Sequence, residues 1–82
     1  MIVDKEVNVK NIRNFYNLLK EEIENNNQIV LDFSNSSRID LSAAQVILAA
    51  VRKVKETNKT IRYIGASPGM QVLLKLSGIK MQ

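Results

Sequence analysis

Within Arg38-Ile39-Asp40-Leu41-Ser42, a carboxylate and a hydroxyl stand two residues apart, just ahead of the apolar run Ala43 to Val51. A helix beginning there offers unpaired backbone N–H groups and the positive end of its dipole, a setting that stabilises an anion. A phosphate carried by Ser42 would gain those N–H contacts and would meet the charge of Asp40 at close approach. Such a site alters the charge of a surface by almost two units without unfolding the domain. Simple capping accounts for the same residues. Ser42-Ala43-Ala44-Gln45 has the spacing of a capping box, and Asp40 is equally suited to be the cap.

Few other residues offer chemistry. The 82-residue chain has no His and no Cys, which removes disulfides, thiol nucleophiles, the usual zinc ligands and every histidine-based acid–base scheme. A carboxylate-only magnesium site is conceivable, but most of the eight acids fall on positions suited to a solvated helix face. Asp32 sits inside an apolar run and suits a structural hydrogen bond to the next loop. Ser36 and Ser37 are hydroxyls of a polar loop, where turn formation is the ordinary use. Gly65 suits a tight exit from a strand, since no glycine-rich loop or phosphate-binding lysine follows. Leu41 fits either a core plug or an exposed anchor. Catalysis by Asp32 and Asp40 is the least supported reading, and no enzymatic activity is expected.

The formal net charge is +4. Its cations are scattered singly or in pairs, from Lys10 and Arg13 through Arg38 to Lys75 and Lys80, and the densest group, Arg52-Lys53-Val54-Lys55, falls late on a helix, where cations suit the dipole. Only four aromatic residues are present and none interleaves with the bases, so no nucleic-acid footprint is expected. The apolar run at Ala43 is far shorter than the roughly 20 residues of a membrane span, and no secretory leader is visible. A cytoplasmic protein with no cofactor and no membrane insertion is the expectation.

The elements that position these residues follow from periodicity. Val9, Ile12, Phe15, Tyr16, Leu19 and Ile23 recur at helical spacing, predicting an amphipathic helix with Asn8 as its N-cap and Phe15, Tyr16 and Leu19 in the core. Asn25-Asn26-Asn27 ends it. Residues 28–34 form a β-favouring run and a buried strand; Asn35 to Arg38 form a loop. A second helix runs from about Ser42 to Thr57, burying Val46, Ile47, Ala50, Val51 and Val54. Thr60 to Ile64 alternate as a strand. Ser67-Pro68 then caps and opens a third helix through Val72, Leu73 and Leu76, which Gly78 terminates. Ile2-Val3 and Val7 suit a short first strand. One domain over residues 1–82 results, an α/β fold of order (β)αβαβα with a small, mostly parallel sheet. The Asn35–Ser42 and Gly65–Met70 segments gather at its carboxyl edge.

Five segments in this order carry a family resemblance: Val30-Leu31-Asp32-Phe33-Ser34, Ile39-Asp40-Leu41-Ser42-Ala43-Ala44, Gln45-Val46-Ile47-Leu48, Ala66-Ser67-Pro68-Gly69-Met70 and Leu76-Ser77-Gly78-Ile79. Together they resemble the STAS domain of sulfate transporters and anti-sigma factor antagonists, over about residues 28 to 80. The resemblance implies a STAS-like fold and a non-catalytic, protein-binding role. In the antagonists the phosphorylatable residue lies two positions after the aspartate, which implies Ser42 here. The implied cycle docks the unmodified domain on an anti-sigma factor that is also a serine kinase, and phosphorylation releases it. Partner contacts would come from Ser36, Ser37, Arg38, Asp40, Leu41, Ser42, Ala43, Gln45 and Ser67. The chain departs from the family pattern at Ala43, where a glycine is common, and at Leu41, where a hydroxyl residue is common. Those departures and the curtailed amino-terminal strands suit an alternative role. In it, the domain is an unswitched subunit resembling the STAS component of bacterial lipid-transport ABC systems, bound to a transporter ATPase, or of a chemotaxis or other partner-switching complex.

Overall fold

A computed structural model describes residues 1–79. Residue 80, at the end of the segment of family resemblance and the last of the scattered cations, lies outside them. The elements in chain order are β1 (Glu6–Val7), α1 (Ile12–Asn25), β2 (Gln28–Asp32), β3 (Arg38–Ile39), α2 (Leu41–Glu56), β4 (Thr60–Ile64) and α3 (Pro68–Leu76).

Among the described residues all strand pairings are parallel. β2 pairs with β4 from Gln28–Thr60 to Asp32–Ile64, and β1 pairs with β3 through Glu6–Arg38 and Val7–Ile39. A bridge between Ile2 and Asp32 joins the two pairs. The amino-terminal segment therefore runs between β2 and β3, and the spatial order is β4, β2, β1, β3. Both βαβ passages lead in the same direction across the sheet, so their right-handed crossovers place α1 and α2 on one face.

That face holds the core. Ile29, Leu31 and Phe33 alternate toward the helices and are almost fully buried, as are Phe15, Leu19 and Ile23 of α1 and Ala43, Ala44, Ile47, Ala50, Val51 and Val54 of α2. The alanines let α2 lie close against its neighbours. α3 adds Met70 and Leu74, with Ile79 just beyond. Gly78 adopts φ +89°, the left-handed turn that ends α3.

Five expectations need correction. Helix α1 begins at Ile12, not Val9. Asn8 and Asn11 build a turn first, with the Asn8 N–H donating to Asn11 Oδ1 (2.8 Å) and the Lys10 N–H to Asn8 Oδ1 (2.9 Å), so Asn8 is not the cap. Val9 and Tyr16 belong to the outer surface, at 73% and 50% exposure. The strand expected over 28–34 stops at Asp32, whose carboxylate is taken by the turn at Ser34. Arg38, expected in a loop, belongs with Ile39 to a two-residue strand held by β1. Finally, α3 turns Val72 and Leu76 outward and buries Met70 and Leu74 instead, a shift in helical phase.

Candidate functional site

Parallel strands end on one side, so the β1–α1 turn, the β2–β3 loop, the start of α2 and the β4–α3 loop all lie along the carboxyl edge of the sheet. Asp40 is the N-cap of α2: its backbone is extended and its Oδ1 accepts the Ala43 N–H at 3.0 Å. Its own N–H donates to Val7 O at 3.0 Å, fastening the cap to β1. Of the two caps open in the sequence, the acid takes the role, and Ser42 falls inside the first turn.

The Ser42 hydroxyl donates to the same Asp40 Oδ1 at 2.6 Å and is partly buried. That bond, then the Ala43 N–H, holds the Asp40 carboxyl below the usual carboxylate range, with smaller help from the Val9 and Ser42 amides. A carboxylate with a lowered pKa is a weak base. Asp40 therefore orients Ser42 and does little to activate it as a nucleophile.

A second pair repeats the arrangement at the end of β2. Ser34 donates its N–H (2.9 Å) and its hydroxyl to Asp32 Oδ1, lowering that carboxyl's pKa chiefly through the hydroxyl. A Cβ on Gly65 would stand 2.3 Å from Ser34 Oγ and 2.8 Å from Ser34 N, at φ +72°. Gly65 is thus the residue that lets β4 leave the sheet beside this turn, and Asp32 serves the loop.

The other anticipated contacts divide. Leu41 is 69% exposed and so is not a core plug. Arg38, Ser37 and Gln45 are also on the surface. The Ser37 and Arg38 amides donate to Lys5 O at 2.9 and 3.2 Å. Ser36 and Ala43 are buried at 7% and 0% exposure, which corrects their assignment as contacts. Ser36 turns inward because its N–H closes a tight turn onto Phe33 O (3.0 Å), and Ala43 lies on the inner stripe of α2. Ser67 is exposed and caps α3 by accepting the Met70 N–H at 3.1 Å. It follows β4 while Asp40 follows β3, and these are the two outer strands. Three strand spacings, about 14 Å, separate them, so Ser67 does not join the Asp40–Ser42 cluster.

The sequence pattern missed the contribution of the β1–α1 turn. Val9 stands exposed beside Asp40, and Asn11 Nδ2 ties the turn back to Glu6 O at 2.8 Å. The signal available was the pair Asn8-x-x-Asn11, two turn-forming side chains that compete with a helix start. The exposed residues Val9, whose amide reaches Asp40, and Leu41, next in the chain to Asp40, thus flank the Asp40–Ser42 pair.

Among the described residues no group of three or more His, Cys, Asp or Glu side chains is placed to hold a metal ion, and no helix is long and apolar enough to cross a membrane. The family model described as "Mlab, STAS domain" matches residues 3–81. No curated protein matches the chain in sequence.

Proposed function

The chain belongs to the STAS domain family, whose members are generally non-catalytic modules that mediate protein–protein interactions, and on that premise we propose that it is a docking module of the anti-sigma factor antagonist kind, switched at Ser42. The partner in this reading is an anti-sigma factor that is also a serine kinase, or a regulator of similar build. The domain itself performs no catalysis.

One observation carries the reading. The Ser42 hydroxyl stands in the first turn of α2 at the carboxyl edge of the sheet, flanked by the exposed side chain of Leu41 and by ionised Asp40. A partner seated on Leu41 and Val9 desolvates the Asp40–Ser42 pair. Phosphorylation removes the proton that Ser42 gives to Asp40 and adds about −1.5 to −2 charges beside a carboxylate. The N–H groups of the α2 terminus compensate part of that charge in water, so the fold tolerates it. Under a partner the same charge loses its hydration, at a cost of several kcal/mol.

The test is incubation with a candidate serine kinase and ATP, followed by peptide mapping. One phosphate at Ser42 is the expected product, Ser42→Asp weakens the complex, and Ser42→Ala preserves it. Phosphate at another residue, or equal binding by all three forms, overturns the switch.

A second reading draws on the same 2.6 Å bond. A hydroxyl already committed to its neighbouring carboxylate also serves an unswitched assembly subunit, for instance one bound to a transporter ATPase. That reading expects a stable complex and no phosphorylation, and neighbouring genes for a transporter rather than a kinase.

A further inference from the structure

β4 is an outer strand, and one of its edges faces no other strand among the described residues. The Thr60 N–H donates to Asn27 O (3.0 Å) and Ile64 O accepts from the Phe33 N–H (2.8 Å), so the even-numbered residues of β4 direct their backbone groups toward β2. Alternation then directs the N–H and C=O groups of Ile61 and Tyr63 outward, where they are free to pair.

The free edge borders a groove of about 620 Å³ between β4 and the carboxyl half of α2. Its floor is apolar, with Leu48, Val51 and Ile61. Arg52, Lys55, Lys59 and Arg62 line it, and no acidic side chain does. Lys59 Nζ is committed to Ile23 O. Tyr63 also lines the groove, and its hydroxyl is buried, with no hydrogen-bond partner among the described residues. Unpaired strand edges and uniform positive charge converge on one side of the molecule. The α2 residues of the groove run from Leu48 to Lys55, about 9 to 20 Å along the helix from Ser42.

We infer that this edge receives an acidic, extended segment of another polypeptide, which adds a strand to β4 and sets its carboxylates among Arg52, Lys55 and Arg62. Backbone pairing with Ile61 and Tyr63 supplies the register, and alternate side chains of the incoming strand meet the apolar floor or the basic rim. A second copy of this chain does not suit the groove, because β4 would bring Arg62 and its own basic rim against another set of like charges.

The test uses the full 82-residue chain and three short synthetic peptides. One alternates valine and glutamate, one replaces glutamate with lysine, and one keeps the glutamates but places proline at alternate positions. Amide exchange and chemical shifts of Ile61 and Tyr63 are followed by NMR. In the free protein both amides are expected to exchange rapidly. The valine–glutamate peptide protects them and shifts their resonances, the lysine and proline forms bind at least tenfold more weakly, and Arg52→Gln with Arg62→Gln weakens the first peptide by a similar factor. The Ser42→Asp variant binds it unchanged. Protection of Ile61 and Tyr63 in the protein alone would show that the chain covers its own edge and overturn the inference. Equal binding of the proline form would reduce the groove to a non-specific anion attractor, and so would overturn it as well. Because the peptide series is read on the unaltered protein, a poorly folding double variant does not obscure the outcome.

Discussion

At Asp40 one oxygen accepts both the Ser42 hydroxyl and the Ala43 N–H. These bonds favour the ionised form in the folded state, so the carboxyl titrates below its ordinary value of 3.8. The stability it contributes is present above that value and is lost as pH falls through the lower, folded-state pKa. Asp32 behaves in the same sense through Ser34. Asp40→Asn is therefore expected to flatten the acid limb of a plot of urea midpoint against pH, and Asp32→Asn with Asp40→Asn to flatten it further. An acid limb identical in all three proteins would contradict the assignment. Tyr63 has the opposite sign. Burial pushes its hydroxyl up to about 12, so the folded state favours the neutral phenol; the associated stability is complete below the ordinary 10.0 and is lost as pH rises through about 12. With Tyr16→Phe leaving a single tyrosine, absorbance at alkaline pH should show a midpoint near 12, coincident with loss of structure, whereas a midpoint near 10 would show an accessible hydroxyl. Removing that hydroxyl, which has no partner among the described residues, by Tyr63→Phe should leave urea stability unchanged or raise it by up to about 1 kcal/mol.

At the scale of the element, the start of α2 separates two roles that the sequence left superimposed. Both Asp40 and Ser42 satisfy the composition of an N-cap, and Ser42-x-x-Gln45 also has capping-box spacing. What decides between them is β1, which fixes the Asp40 N–H on Val7 O and so starts the helix one residue before Ser42. That tie is long-range and no local pattern contains it. The same holds for β3: two residues held by β1 give no period to read. The misplacement of Val9 and Tyr16 has another origin, since an apolar stripe at helical spacing says nothing about which of its members fall on the flank. By contrast Ser67-Pro68 and Gly78 were legible, because capping and left-handed termination are decided within three or four residues. Asp40→Ala is accordingly expected to cost about 1 kcal/mol in urea unfolding, and Ser42→Ala less, because the Ala43 N–H keeps its partner. Gly65→Ala should be more damaging than either, at about 2 kcal/mol or above, because the φ of +72° and the approach to Ser34 leave no room for a methyl group. Equal stability of Asp40→Ala and the parent protein would place the cap elsewhere.

For the whole molecule, strands alternating with helices were enough to foresee a parallel α/β sheet with its loops gathered on one edge. They could not show that the amino-terminal segment passes between β2 and β3, which sets Asp40 and Ser67 on opposite flanks and confines the candidate site to one of them. This separation yields the last prediction. Ser42 lies in the first turn of a 16-residue helix, where a negative charge is favoured by the dipole and opposed by Asp40. The two effects are of similar size at a solvated position, so Ser42→Asp should change the unfolding free energy by no more than about 0.5 kcal/mol. Leu41, 69% exposed, carries little of the core, and Leu41→Ala should be equally silent in stability. In a complex centred on this site both variants become severe. Losing a central apolar anchor costs about 2 kcal/mol, or roughly thirtyfold in affinity, and a charge at that contact costs at least as much. A switched module loses its partner with either variant. An unswitched assembly subunit that docks through Leu41 alone loses it with Leu41→Ala but retains it with Ser42→Asp. Calorimetric titration of both variants against one partner, with thermal melts run beside them, distinguishes the two. Unchanged affinity in both would move the docking surface away from the start of α2 altogether.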